Sequence, residues 1–251
     1  VYRGGTFEEG EGVEYITNKS HTVMLDQSIL QQVKDIFQQL EAVYTFRISY
    51  DPERKESAQL IEFLNDLVTS SPQLHCEFAE VRTGALEFSI LKDGTETGIV
   101  FRGIPNGHEF TSLLLAILNA DGKGKNLPDE AISRRIRALQ GDIRLQTYVS
   151  LVCTNCPDAV QTLNIMTLLN PNIRHEMIDG ALFQEEVNKL NVQAVPAVFA
   201  NGKLVHVGRG TLGELLDKLE ECYTSLEDGD GYTTKEREFD VLVLGGGPAG
   251  V

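Results

Sequence analysis

Two cysteines stand three apart in "SLVCTNCPDAVQTLNIM", residues 150–166. Such a pair can exchange a disulfide with another protein: one thiolate attacks, and the neighbouring thiol resolves the mixed disulfide. It can also be half of a tetrahedral zinc site, which needs four ligands, or two buried and inert thiols. The pair lies where an apolar run, "IRLQTYVSL" (143–151), gives way to a helical pattern over 156–169. Cys153 then sits just outside a helix N-terminus, where the dipole and unpaired N–H groups favour a thiolate and lower its pKa from about 8.5. Cys156 falls in the first turn beneath it, and Pro157 fits that turn because its missing N–H is not needed. There is no second cysteine pair, and His175 and His206 lack useful spacing, so no metal is assigned.

The elements that must position this pair fall into two halves. An opening helix at "MLDQSILQQVKDIFQQL" places Leu25, Ile29, Val33, Ile36, Phe37 and Leu40 on one face, with Asp26 as N-cap. The first half then reads strand 43–50, helix 53–68, strands near 74–81, 86–92 and 97–103, and a helix near 107–119. The second reads helix 129–140, strand 143–151, helix 156–169, strand 173–179 and helix 182–190. Strands 197–200 and 203–207 and a helix over 211–223 complete it. Asn201-Gly202 is a two-residue hairpin turn. Parallel strands joined by helices and closed by a hairpin predict an α/β sheet covered on both faces.

The chain has 251 residues, 41% hydrophobic, and a net charge of −15. That charge argues against nucleic acid and anionic membrane surfaces as partners. No apolar run approaches the ~18–20 residues of a membrane span, and the N-terminus lacks a basic-then-apolar signal. Four scattered cysteines do not make a secreted disulfide framework. A cytoplasmic protein is expected, its acidic surface serving solubility more often than steering toward a basic partner. Cys76 and Cys222 are read as structural.

"NVQAVPAVFANGKLVHVGRGT" sets Pro196 at the start of a strand, forty residues past Cys156. Dithiol, proline, hairpin and "GRGT" in this order resemble the thioredoxin fold. That resemblance implies a cis Val195-Pro196 bond whose neighbouring backbone pairs with an incoming chain. Thioredoxins usually carry a buried carboxylate six residues before the first cysteine; Thr147 stands there and cannot manage a proton in its place. The first half has Asp51-Pro52-Glu53-Arg54 where the second has its cysteines. Only "RTGA" separates its second and third strands, so it reads as an abbreviated, redox-silent relative.

Together with "GHEFTSLLLAILN" (107–119), "LNPNIRHEMIDG" (169–180) and "VPAVFANGK" (195–203), this tandem resembles the flavoprotein subunit of bacterial alkyl hydroperoxide reductase, from about Met24 to the end. The resemblance implies two tandem thioredoxin-like folds, at 24–122 and 123–223, after a leader at 1–23. A polar linker at 224–238 and the truncated start of an FAD-binding domain at 239–251 follow. It makes Cys153 the attacking thiol, Cys156 the resolving thiol, and Val195 and Pro196 the substrate side. It makes Glu109 a candidate for the missing acid–base group, against the plainer reading of a first-turn carboxylate favoured by the dipole.

"VLVLGGGPAG" gives Gly245, Gly247 and Gly250 after an apolar strand, a pyrophosphate-cradling signature. The next strand and the ribose-binding acid do not follow, so no cofactor is expected to be held here. FAD and NADH are implied for a full-length protein, as a homodimer. The partners implied are a two-cysteine peroxiredoxin and the chain's own C-terminal flavin reductase domain. The alternatives are a general thioredoxin-like reductant and a docking module whose dithiol is incidental.

Overall fold

The computed structural model describes residues 25–224. Gly245, Gly247, Gly250 and the proposed leader lie outside those residues. In chain order the first half is α1 (Gln27–Phe37), β1 (Tyr44–Tyr50), α2 (Ser57–Val68), β2 (Leu74–Glu80), β3 (Leu86–Lys92), β4 (Thr95–Arg102) and α3 (Phe110–Ala120). The second is α4 (Glu130–Ala138), β5 (Ile143–Val149), α5 (Cys156–Leu169), β6 (Ile173–Asp179), α6 (Gln184–Lys189), β7 (Ala197–Ala200), β8 (Lys203–Val207) and α7 (Leu212–Tyr223). Asp26 caps α1 by accepting the Ser28 N–H at 2.7 Å. Only a narrow stripe of that helix is covered: Val33 and Phe37 are buried, whereas Ile29 and Ile36, expected on the same face, are exposed.

All eight strands form one sheet in the order β2-β1-β3-β4-β6-β5-β7-β8. Each half contributes four neighbours in the same order, and the halves meet where β4 runs parallel to β6, Ile99 opposite His175 and Arg102 opposite Ile178. Both two-residue hairpins have two positive-φ centres, Asp93-Gly94 (48°, 78°) and Asn201-Gly202 (47°, 78°). That geometry matches the twist of paired strands and suits Asx-Gly.

The sheet is not covered on both faces, as the sequence pattern had suggested. One continuous apolar layer joins α1, α2, α3 and α5 to inward residues such as Phe46, Phe88, Phe101 and Met177. Beside it α4, α5 and α7 pack on Leu145 and Val198 through Ile136, Leu163 and Leu216. The opposite face carries α6 alone, over Tyr148, Ile178 and Phe199. The first half has no helix between β2 and β3 to cover that side, and its residues there are polar. Arg47 pairs with Glu77 and Glu96 in solvent, as an open antiparallel face permits.

β1, α2 and β2 begin 99 residues before β5, α5 and β6 respectively. This register corrects the expected alignment of the first half. Arg54, Lys55, Glu56 and Ser57 stand in place of Cys153, Thr154, Asn155 and Cys156; Asp51 and Pro52 precede them. The Asp51 carboxylate accepts the backbone N–H groups of Glu53 (3.0 Å) and Gly84 (2.7 Å), fixing the loop. Arg54 reaches across the junction, donating to Leu182 O at 2.7 Å and stacking on Phe183 at 4.6 Å. Arg102 lies on the same ring at 4.3 Å and binds Glu186 through both terminal nitrogens. Tyr148 completes this junction by donating to Glu186 at 3.0 Å.

Candidate active site

Cys153 and Cys156 are joined as a disulfide at the mouth of α5, with Cα atoms 5.5 Å apart. Helical register sets the asymmetry between them. Cys156 is the first residue of α5 and fully buried, whereas Cys153 in the preceding loop is half-buried. Asn155 at the N-cap makes no side-chain cap, so the helix start keeps its partial positive charge for a thiolate. Val195-Pro196 is a cis peptide. The Val195 carbonyl oxygen lies 3.9 Å from Cys153 Sγ, so the structure brings the proline loop and the attacking position together.

The first half closes over the other side of this loop. Leu151 O, two residues before Cys153, accepts the His108 N–H at 3.2 Å. Gly107 makes this possible: its φ is +56°, and a Cβ there would lie 2.7 Å from the same oxygen. The 3-10 turn over Gly107–Glu109 packs on α5. Glu109 is fully buried, and neither carboxylate oxygen has a hydrogen-bond partner of normal geometry. Burial pushes its pKa up to about 7, with nearby Ser112 opposing weakly.

Sequence reasoning missed the surroundings of Thr147. Its hydroxyl lies 2.8 Å from His175 Nε2, and His175 Nδ1 lies 2.7 Å from Asn164 Oδ1. Asn164 presents an acceptor, so the ring donates from Nδ1 and accepts the Thr147 hydroxyl at Nε2: a neutral histidine. Full burial agrees, driving its pKa down to about 3. The signal available was alternation, since His175, Met177 and Asp179 share the inward side of β6. Asp179 is also buried, and its carboxyl is shifted upward by that burial. Cys76 is half-buried with its thiol pushed up to about 12, and Cys222 is exposed on α7. Among the described residues no group of three or more His, Cys, Asp or Glu side chains is arranged to hold a metal ion, and no helix is long and apolar enough to cross a membrane.

A thioredoxin domain family matches residues 143–221, which run from β5 into α7. A Bacillus subtilis protein named NADH dehydrogenase is 41% identical over 91% of this chain. The alkyl hydroperoxide reductase F subunit of Staphylococcus aureus is 41% identical over 90%. The chain is homologous to the F subunits of alkyl hydroperoxide reductase. It spans 43% of the length of these two relatives. The solved NTD_N/C domain of the Enterococcus faecalis F subunit superposes with a TM-score of 0.72 at 28% identity, covering 78% of this chain and 99% of that one. A protein disulfide oxidoreductase from Aeropyrum pernix shares the fold (TM-score 0.70) at 17% identity. Likeness to the F subunits thus extends through both halves of the sheet, well beyond the dithiol-bearing half.

Proposed function

We propose that this chain, read as thioredoxin-like units at 24–122 and 123–223, is the dithiol relay of a peroxiredoxin reductase of the F-subunit type. It would pass electrons from a flavin domain of the full-length protein to a peroxiredoxin disulfide. The flavin, reduced by NADH, would supply the two electrons that return Cys153 and Cys156 to thiols. The observation that carries the reading is the half-buried Cys153 over a fully buried Cys156, with the Val195 carbonyl against the outer sulfur.

In the forward step the Cys153 thiolate attacks one sulfur of the partner disulfide. That S–S bond breaks, and the partner's second sulfur leaves as a thiolate. Cys156 then loses its proton and attacks Cys153 Sγ, forming the internal disulfide and releasing the partner's first sulfur. Two electrons have moved from chain to partner. Glu109 takes the Cys156 proton in this reading. It is a buried carboxylate poised near neutral pH, on a turn held against the dithiol loop, and Thr147 leaves that task vacant.

Replacing Cys156 with Ser tests the relay. The reduced variant mixed with an oxidised two-cysteine peroxiredoxin is expected to accumulate a mixed disulfide through Cys153. Binding without a covalent adduct would favour a docking module instead. Equal trapping of any disulfide protein would favour a general reductant.

A further inference from the structure

The two loops that meet at the outer sulfur share a property unlike the rest of the chain. Residues 150–157 and 190–202 carry no charged side chain, in a protein where 24% of residues are charged. Val152, next to Cys153, is 83% exposed, the most exposed large apolar residue among those described. Beyond the proline loop the same surface continues as an apolar groove of about 110 Å³, with Val192, Ala194, Phe199, Leu204 and Val207 in its lining. Leu204 and Val207 are themselves exposed, because α6, the helix on this face, spans only Gln184–Lys189.

We propose that the uncharged strip from Val152 across Val195 into this groove is the docking track for the partner's disulfide segment. This rests on the relay reading, since the partner sulfur must come within bonding distance of Cys153 Sγ. Whatever bonds there touches Val152 and Val195, its exposed or half-exposed apolar neighbours. The occupant is therefore an extended segment with apolar, uncharged side chains flanking its cysteine. A folded, charged surface would lose hydration on this strip with nothing to replace it. An extended segment would cover Val152 and the groove and gain from both. Val152 is the specificity-determining contact. The net charge of −15 then contributes little to recognition, because its carriers lie off the track; the nearest acid on α5, Asp158, is paired with Arg209.

Val152→Asn and Val152→Leu variants of the whole chain, reduced and mixed in single turnover with an oxidised two-cysteine peroxiredoxin, test this. Hydroxyethyl disulfide, too small to fill the strip, serves as the second probe. Val152→Asn is expected to lower the peroxiredoxin rate constant about tenfold, and at least about fivefold more than the small-disulfide rate, while Val152→Leu stays near wild type. Between about 20 mM and about 500 mM NaCl the wild-type rate should change less than about threefold. Equal slowing of both substrates by Val152→Asn, no slowing of either, or a steep salt dependence would overturn the track. A wild-type chain that reduces hydroxyethyl disulfide but not the peroxiredoxin would overturn the relay reading itself, and the track with it.

Discussion

Arg54 and Cys153 hold the same place in the two halves of the sheet, and each reaches the corresponding loop carbonyl. Arg54 donates to Gly84 O at 2.8 Å, while Cys153 Sγ lies 3.9 Å from Val195 O. Gly84 and Val195 each stand two residues before the strand that follows the loop, β3 or β7. The first half has thus kept the architecture of a dithiol site and filled it with a cation. That cation ties the halves together through Leu182 and Phe183.

If that equivalence holds, the thiol pair can be restored. A chain carrying Arg54→Cys and Ser57→Cys should oxidise to a species with two internal disulfides, read as four protected thiols by mass after alkylation. It should also lose stability, by about 1–3 kcal/mol for the cross-junction bonds. Persistent free thiols at both positions in the folded variant would contradict the shared geometry.

Gly107 is where the first half leans on the dithiol loop. Gly107→Ala puts a side chain at φ +56° against a backbone oxygen, at a cost of about 1–3 kcal/mol in strain or displacement. Chemical denaturation should show that loss, and thiol–disulfide exchange should slow as the turn bearing Glu109 shifts. Wild-type stability and rate in this variant would mean that the turn's position is unimportant.

Glu109 sets a pH signature with a definite sign. Its folded pKa, about 7 against an ordinary 4.5, lies above the unfolded one. The folded chain therefore holds the extra proton between those values, and stability falls as pH rises through that window. Glu109→Gln should match wild type near pH 4.5 and exceed it by roughly 2–3 kcal/mol near pH 8. In the relay reading the same variant loses the rate inflection near neutrality. A rate profile unchanged by Glu109→Gln would remove this residue from proton transfer.

His175 works in the opposite direction. Its folded pKa, near 3, lies below the ordinary 6.5, so the unfolded chain takes up the proton first and stability is lost as pH falls from about 6.5. In the Glu109→Gln background this loss stands uncompensated, and melting temperature should fall steadily from pH 7 to pH 4. A flat profile there would mean that His175 is not held neutral.

Much of this was legible in the sequence where local chemistry and periodicity agreed. The helix Cys156–Leu169, the strand Ile173–Asp179 and the Asn201-Gly202 hairpin stand where the pattern placed them, each bounded by turn or cap residues. Asp93-Gly94 carried the same hairpin signal and went unread. The open face was not legible: strand alternation shows which side chains point away from the core, but not whether a helix covers them. Nor was the role of Arg54, because an arginine after Asp-Pro looks like ordinary loop chemistry until the 99-residue register is visible. His175 was weighed only as a metal ligand. Its partners Thr147 and Asn164 lie 28 and 11 residues away in sequence, and only pairing of β5 with β6 beneath α5 brings them together.

The central claim is that Cys153 and Cys156 deliver two electrons to a peroxiredoxin disulfide. Stopped-flow mixing of the fully reduced chain with one equivalent of an oxidised two-cysteine peroxiredoxin measures this directly, with thiols on both proteins counted after quenching. The account expects two thiols to appear on the peroxiredoxin as the Cys153 and Cys156 thiols are lost, with no transfer from Cys153→Ser. A reduced chain that keeps its thiols, or transfer undiminished in Cys153→Ser, would contradict it.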